Sequence, residues 1–133
     1  MAKVSSFIYC EQADIKKGEK PEIGEILDVL RPDYIPGNYS FSIVFSLMDV
    51  QENQDLKVEF IGPNKNVVLE TDAFEINGNA GDEHPSEYSG VFAAFDFRNL
   101  TFKFPGIYYT NIYINGLQIA SFPIPVLKKE DDE

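Results

Sequence analysis

The chain has 133 residues, a length typical of one domain with its own apolar core. Hydrophobic residues make up 44% of it, which indicates a folded rather than a disordered chain. Its 22 acidic residues outnumber the 11 basic ones and give a formal net charge of −11. Because this charge repels phosphate groups, we predict no nucleic-acid partner and no membrane partner.

Cys10 is the single cysteine, which excludes an intramolecular disulfide and a cysteine-based zinc site. We expect its thiol to be structural, because the neighbouring Glu11 raises its pKa rather than lowering it. Residues 1–6 lack the long apolar stretch of a signal peptide, and no apolar run is as long as a transmembrane helix. These features favour a reducing cytoplasm as the compartment.

Alternation of apolar and polar residues predicts a strand at residues 4–10 and a clearer one at 39–50. The segment between them, residues 22–30, has the apolar spacing of a short helix but also fits a strand at 26–30. We favour the strand, because a glycine lies inside the segment and a proline follows it closely.

The second half of the chain alternates in the same way. Strands are predicted at residues 56–60, from 67 towards 76, at 91–97 and at 100–104. Residues 77–87 are almost free of apolar side chains, and we expect them to form the longest exposed loop.

The last hairpin is the best specified element of the sequence. Residues 107–114 and 117–126 flank Asn115-Gly116, the pair preferred in a two-residue type I′ turn because both positions need a positive φ. Two prolines in the second strand cannot donate to a ladder, so we expect that strand at an edge.

Seven to eight short strands separated by turn signals indicate an antiparallel sandwich or barrel. One domain is predicted over residues 1–127. The charged residues 128–133 are expected to form a disordered C-terminal tail.

Three stretches carry a resemblance to known proteins. Residues 6–11 form an opening strand that runs into a polar loop, and residues 41–47 lead to 58–68. Residues 104–108, followed by 123–126, are similar to the closing hairpin of immunoglobulin-like and fibronectin-like domains, where Pro-Gly-x-Tyr opens the penultimate strand. The chain resembles small, uncharacterised immunoglobulin-like β-sandwich proteins of bacteria and phages, a family of unknown function. The resemblance implies an all-β, immunoglobulin-like antiparallel β-sandwich and transfers no functional residue.

The polar loop carries residue types suited to metal binding or catalysis. Five potential oxygen or nitrogen ligands crowd it: Asn77, Asn79, Asp82, Glu83 and His84. Their spacing does not match a calcium-binding loop. His84 lies two residues from both Asp82 and Ser86, and residues so close in one loop rarely hold catalytic geometry. We predict no metal, no cofactor and no catalytic residue.

The aromatic side chains of the last hairpin are the strongest candidate for a binding surface. In a regular register, Ile112 faces Ile119 on the core side, and Tyr109 faces Phe122 on the outer side. Tyr113 shares this outer face, and we predict these three aromatic residues as a candidate protein interface. Exposed aromatic pairs are typical of protein interfaces and sugar platforms, although cross-strand pairing alone also explains them.

We therefore predict a non-enzymatic module that binds or assembles with protein, either a second copy or another chain. The alternative is a carbohydrate-binding β-sandwich, against which the absence of tryptophan weighs mildly. A further alternative is a small hydrolase that uses paired carboxylates, since 22 acidic residues are present but none stands out.

Overall fold

The computed structural model describes residues 2–15, 22–77 and 90–130. Ten strands lie in this part of the chain: β1 (Lys3–Cys10), β2 (Ala13–Asp14), β3 (Glu22–Ile23), β4 (Gly37–Met48), β5 (Gln54–Ile61), β6 (Val67–Glu70), β7 (Phe74–Ile76), β8 (Gly90–Phe102), β9 (Gly106–Ile114) and β10 (Leu117–Val126). The all-β prediction is confirmed. The count exceeds the seven to eight predicted strands, because β2 and β3 are too short to show alternation and the segment after residue 67 divides into β6 and β7. The described residues include no helix that is long and apolar enough to cross a membrane.

The strands form two main antiparallel sheets. The three-stranded sheet has the order β1-β4-β8, and the five-stranded sheet has the order β10-β9-β5-β6, with β7 also paired to β5. Strands β2 and β3 form a small separate hairpin. This is the architecture of an immunoglobulin-like sandwich, in which two antiparallel sheets enclose the core formed by their inner faces.

The core is formed by alternate residues of both sheets, as the sequence predicted. Every second residue of β4 from Phe41 to Leu47 is buried, and these side chains meet Leu56, Val58 and Phe60 from β5. Aromatic rings connect the sheets, with the ring centroids of Phe41 and Phe60 5.3 Å apart. The clear alternation follows from this arrangement, since each strand has one face in the core and one outside it.

A β-bulge makes β8 one continuous strand where the alternation predicted two. Tyr39 pairs with Leu100 and Phe41 with Phe97, so one residue of β4 lies opposite two of β8. Asn99 has a φ of 54°, a left-handed conformation that asparagine adopts more readily than most residues. The extra residue reverses the face on which the later side chains of β8 lie. The apolar residues before and after Asn99 therefore both face the core.

The Pro-Gly-x-Tyr stretch forms a tyrosine corner at the start of β9. Tyr108 is buried, and its hydroxyl donates a 2.7 Å hydrogen bond to the carbonyl of Phe104. Gly106 has a φ of 142°, and a Cβ at this position would lie 2.7 Å from the Cγ of Pro63. Both the conformation and the close approach therefore require glycine.

The Asn-Gly turn has the predicted geometry, with φ values of 50° at Asn115 and 80° at Gly116. The Asn115 side chain also joins neighbouring strands, since its Oδ1 accepts a 2.8 Å hydrogen bond from the Asp55 backbone N–H. The turn thus connects the last hairpin to β5.

Residues 26–32, here called the crossing segment, run from one sheet to the other. The Leu27 N–H donates to the carbonyl of Tyr9 on β1, and the Leu30 N–H donates to the carbonyl of Pro125 on β10. Leu30 is completely buried. The predicted strand at 26–30 is therefore present only as isolated bridges at its two ends, and the alternative helix is not formed.

A side-chain hydrogen bond joins the two sheets inside the core. The hydroxyl of Tyr9 donates to the carbonyl of Phe122 at 2.8 Å and lies 2.7 Å from the hydroxyl oxygen of Thr110. Burial raises the pKa of the Tyr9 hydroxyl, so this group stays protonated and remains a donor.

Two predicted segments lie partly outside the described residues. Of the loop predicted at 77–87, only Asn77 is described, and its Oδ1 accepts a 2.9 Å hydrogen bond from the Asn53 backbone N–H. Of the predicted tail, residues 128–130 are described and have no regular structure. The Lys129 N–H donates to the carbonyl of Pro32.

Candidate functional site

The register of the last hairpin differs from the predicted one after its first two pairs. A bulge lies between Gln118 and Ala120, so Ile112 pairs with Ala120 rather than with Ile119. Tyr109 pairs with Pro123 rather than with Phe122. The predicted register is wrong here because it assumed that the alternation continues unbroken from the turn.

The bulge places Phe122 on the core side of the five-stranded sheet. Phe122 pairs with the fully buried Thr110. Its ring stacks on that of Phe7 with centroids 4.1 Å apart and an interplanar angle of 9°. Phe122 therefore joins the two sheets and is separated from Tyr109 and Tyr113, with which it was predicted to form an interface.

Tyr113 lies on the outer face, where polar side chains engage it. Its hydroxyl donates a 3.0 Å hydrogen bond to Glu59, whose Oε1 also accepts one of 3.1 Å from Asn111. Partial burial and the bond to Glu59 raise the pKa of the Tyr113 hydroxyl. The Lys57 Nζ lies 5.5 Å from the centroid of the Tyr113 ring and forms an ion pair with Glu70. Tyr113 thus belongs to a polar network rather than to a free aromatic surface.

Tyr109 lies on the same outer face in an apolar row that crosses four strands. It pairs with Pro123 of β10 on one side and with Ile61 of β5 on the other, and Ile61 pairs with Val67 of β6. Directly opposite residues share a face of the sheet, so all four side chains lie together on the outside.

A second, shorter row extends this patch towards the end of the sheet. Ile107 pairs with Pro125, two residues along from the first row. Val67, Ile107 and Tyr109 keep 52%, 46% and 39% of their surface exposed. The Tyr109 surface is defined here by both rows: Ile61, Val67, Ile107, Tyr109, Pro123 and Pro125.

The sequence pattern predicts Tyr109 on the outer face but not the residues that surround it there. The signal was present in the second half of β10, where Phe122, Ile124 and Val126 alternate with the prolines. This pattern has the opposite phase to Leu117 and Ile119 near the turn. A change of phase within one strand indicates a bulge, and it would have placed Phe122 inside.

A row of reactive residue types crosses the outer face of the three-stranded sheet. Cys10 pairs with Ser42, and Ser42 pairs with Asp96 and donates a hydrogen bond to its carboxylate. Cys10 and Ser42 are both buried. Burial, followed by the nearby Asp96 charge, raises the pKa of the Cys10 thiol, which therefore stays protonated and is a poor nucleophile.

Potential metal ligands are dispersed in the described residues. Across residues 2–15, 22–77 and 90–130, no three His, Cys, Asp or Glu side chains come together in a group able to hold a metal ion. Four of the five loop ligands considered in the sequence, from Asn79 to His84, lie outside the described residues, as does Ser86.

Comparisons with known proteins agree with the fold. A protein-family model matches residues 5–127 and describes a family of unknown function, DUF6941. No curated protein matches the chain. This family confirms the resemblance to proteins of unknown function that the sequence indicated.

Two solved structures share the architecture. An immunoglobulin-like protein from Pseudomonas aeruginosa is 10% identical, with a TM-score of 0.51, and the match covers 96% of this chain and 97% of that one. The alkylpurine DNA glycosylase AlkC from Pseudomonas fluorescens, solved bound to DNA containing an abasic site analogue, is 9% identical with a TM-score of 0.54. That match covers 94% of this chain but only 30% of the glycosylase. At such identities the likeness shows the fold alone, and it confirms the immunoglobulin-like sandwich.

Proposed function

We propose that this chain, which belongs to the DUF6941 family of unknown function, is a non-enzymatic module that binds another protein through its Tyr109 surface. The observation that carries the proposal is the contiguous apolar row on an exposed sheet face, from Val67 through Ile61 and Tyr109 to Pro123. Single exposed apolar residues are normal, whereas contiguous apolar patches mark interaction sites.

The Tyr109 surface rests on a rigid support. Its residues alternate with Phe60, Tyr108 and Ile124, which are buried in the core, so the strands beneath it are fixed on their inner side. Tyrosine and proline also lose little conformational freedom on binding. A partner therefore meets a preorganised surface and loses little free energy in ordering it.

The partner in this proposal is a different protein rather than a second copy. Each copy carries a formal charge of −11, so two copies repel one another in solution. The same charge is the reason for proposing no nucleic-acid role, although the structurally similar glycosylase is bound to DNA. We place the module in the cytoplasm, which suits its single, buried and unpaired cysteine.

The network around Tyr113 supports binding to protein over the carbohydrate-binding alternative, and the state of Cys10 argues against a thiol nucleophile. A sugar platform needs exposed aromatic faces, and the ring of Tyr113 lies beneath the Lys57 ammonium. The Cys10 thiol has its pKa raised by burial, which is the reverse of what a nucleophile needs.

A site-specific photocrosslinker tests this proposal in cells that produce the protein. The photoreactive phenylalanine analogue benzoylphenylalanine replaces Tyr109 in one variant. In a matched control it replaces Phe92, which is 50% exposed on the outer face of the other sheet. We expect a discrete covalent adduct with another protein from position 109 and none from position 92. Adducts from position 92 alone, or from neither position, would contradict the proposal.

The variant Tyr109→Ser provides the second part of the test. Because the side chain is exposed, we expect the free energy of unfolding to stay within about 0.5 kcal/mol of wild type. The captured partner should be lost from this variant and kept by Phe92→Ser. Sedimentation of the purified wild type separates a foreign partner from self-association, which would appear as a concentration-dependent dimer.

A further inference from the structure

The two sheets meet along a seam between their edge strands β1 and β10. Strand β1 is the edge of the three-stranded sheet, and β10 is the edge of the five-stranded one. In the part of the chain that the structure describes, β1 pairs with β4 and β10 with β9, and isolated bridges at Cys10 and Val126 join each of them to the crossing segment. The second edge of each strand therefore faces the seam.

The crossing segment fills one half of this seam and shows what kind of chain the seam accepts. Its backbone donates to the carbonyl of Tyr9 on one side and to that of Pro125 on the other, and the Leu127 N–H donates back to the carbonyl of Leu30. The Leu30 side chain is completely buried. A stretch of chain with backbone hydrogen bonds to both edges and an apolar side chain directed inward thus closes this half.

The other half of the seam is an open apolar groove with a volume of about 390 Å³. It lies between the first residues of β1 and the first residues of β10, beyond the reach of the crossing segment. Lys3 is the charged residue that lines it, and Leu117 keeps 52% of its surface exposed there. The seam groove is defined here by its apolar lining: Ala2, Val4, Leu117, Ile119, Ala120 and Phe122.

Backbone groups of both strands face the seam beside this groove. Residues two apart in a regular antiparallel strand direct their N–H and carbonyl groups to the same side. The carbonyl of Tyr9 faces the seam, and the backbone of Phe7 therefore faces it too. By the same argument from Pro125, the backbone of Ser121 faces the seam, since the register of β10 is unbroken from Ala120 onwards. Within residues 2–15, 22–77 and 90–130, no backbone hydrogen bond reaches Phe7 or Ser121 from the seam side.

From this arrangement we infer that the seam groove binds a short extended segment of another protein as an added strand. The segment pairs with the backbone of Ser121 and inserts alternate apolar side chains between Val4 and Ile119. In strand addition, backbone hydrogen bonds supply affinity, and pockets for alternate side chains supply specificity. The seam groove shares no residue with the Tyr109 surface, so this second site goes beyond the proposed function and does not depend on it.

Two features of the groove select this occupant. Its free N–H and carbonyl groups are matched by another extended backbone, whereas an apolar small molecule leaves them unpaired. The formal charge of −11 disfavours a second copy and an acidic segment alike. The segment is short, because Pro123 has no N–H to offer on one side of Ser121 and the bulge before Ala120 interrupts the ladder on the other.

Selection from a random peptide display library tests the inference without a known partner. The target is the full-length Tyr109→Ser variant, which weakens the Tyr109 surface and leaves the seam groove intact. We expect the selected peptides to share a pattern in which every second residue is apolar and acidic residues are rare. One synthetic peptide with this pattern is then measured by fluorescence polarisation against groove variants made in the wild-type chain.

The variant Ser121→Pro removes the N–H group that the segment would use. The chain already carries proline at the next two seam-facing positions of β10, Pro123 and Pro125, so the substitution repeats a pattern that this strand accepts. The matched control Ser121→Ala keeps the N–H. We expect Ser121→Pro to weaken peptide binding about tenfold and Ser121→Ala to change it by less than about twofold. Equal binding to the two variants would overturn the inference.

A second pair of variants tests the apolar lining and does not depend on the folding of Ser121→Pro. Leu117 lines the groove and Leu127 lies outside it, and their exposed fractions are similar, 52% and 47%. Leu117→Asp should weaken binding about tenfold or more, because it places a carboxylate against apolar side chains. Leu127→Asp should change it by less than about twofold. Added NaCl should leave wild-type binding nearly unchanged, since the contact is not ionic.

The remaining outcomes separate this inference from its rivals. A selection that yields no peptide, or peptides that ignore Leu117→Asp, would overturn the inference and leave the proposal for the Tyr109 surface standing. Sedimentation of the wild type and of Ser121→Pro tests a second copy as the occupant. A concentration-dependent dimer that is present in the wild type and lost in Ser121→Pro would assign the groove to self-association and overturn the inference.

Discussion

At the scale of single residues, Tyr9 is the side chain through which one sheet is hydrogen-bonded to the other. Its hydroxyl satisfies the carbonyl of Phe122 and contacts the hydroxyl of the fully buried Thr110. A buried polar group that loses its hydrogen-bond partner is not compensated by water. Both the carbonyl of Phe122 and the hydroxyl of Thr110 therefore depend on the Tyr9 oxygen atom for this hydrogen bond between the sheets.

The variant Tyr9→Phe should lower the free energy of unfolding by about 1–3 kcal/mol at neutral pH, because it leaves both partners unsatisfied. Urea denaturation followed by circular dichroism measures this loss. Tyr34→Phe is the control, since Tyr34 is 72% exposed, and it should stay within about 0.5 kcal/mol of wild type. Equal denaturation midpoints for the two variants would show that the hydroxyl contributes nothing.

The difference in stability between wild type and Tyr9→Phe depends on pH, because the pKa of the Tyr9 hydroxyl is raised in the folded chain. The unfolded chain loses this proton near pH 10, while the folded chain holds it to higher pH. The contribution of Tyr9 is therefore complete below about pH 10 and decreases above it, by at most about 1.4 kcal/mol per pH unit. The stability difference between wild type and Tyr9→Phe should thus narrow as the pH rises from 10 to 11. A difference that widens would contradict the raised pKa.

At the scale of elements, the crossing segment shows that a connection without regular structure can contribute to the core. Its backbone bonds to Tyr9 on one sheet and to Pro125 on the other. Leu30 has no exposed surface, whereas Ile26, four residues earlier, is 63% exposed. Burial differs sharply between these two apolar residues, although both lie at isolated bridges.

Leu30→Ala should lower the free energy of unfolding by about 2–5 kcal/mol, as expected when a large side chain leaves a cavity in a closed core. Ile26→Ala in the same segment should change it by less than about 0.5 kcal/mol. Both variants are measured by urea denaturation. A small effect for Leu30→Ala would mean that the segment lies on the sandwich without stabilising it.

Among the elements, strand β4 and the last turn were predicted correctly from the sequence, whereas the bulge in β10 was not. Strand β4 was predicted well, because its buried face continues at every second residue from Phe41 to Leu47, over most of Gly37–Met48. The Asn115-Gly116 turn was predicted because its chemistry allows few other conformations. The bulge before Ala120 was missed, because the alternation was extended unbroken from the turn past the change of phase that begins at Phe122. It reverses the direction of every later side chain, and Phe122 was therefore assigned to the wrong face.

At the scale of the whole molecule, the excess of negative charge opposes compactness. The formal charge is −11, and the ion pairs of Lys57 with Glu70 and of Arg98 with Asp96 lie at the surface, where water and salt screen them. Repulsion among the other carboxylates therefore outweighs the attraction within these ion pairs, and added salt screens more repulsion than attraction.

Raising NaCl from about 0.01 M to about 1 M shortens the Debye length from ~30 Å to ~3 Å, and we expect the melting temperature to rise. The variant Glu52→Gln, Glu75→Gln removes two exposed carboxylates. It should melt higher than wild type at low salt and respond less to added salt. Calorimetry measures both trends, and a melting temperature that falls with salt would show that attractive pairs dominate.

The crossing segment and the prolines of β10 also affect the tendency of the protein to aggregate through strand pairing. Strand edges with free N–H and carbonyl groups recruit other strands, and an exposed apolar patch beside such an edge favours aggregation. Near the Tyr109 surface, the carbonyl of Pro125 already accepts a bond from Leu30, and neither Pro123 nor Pro125 has an N–H to offer. An approaching strand therefore finds no continuous ladder there. On the β10 side, the domain therefore presents its apolar surface without a template for polymerisation beside it.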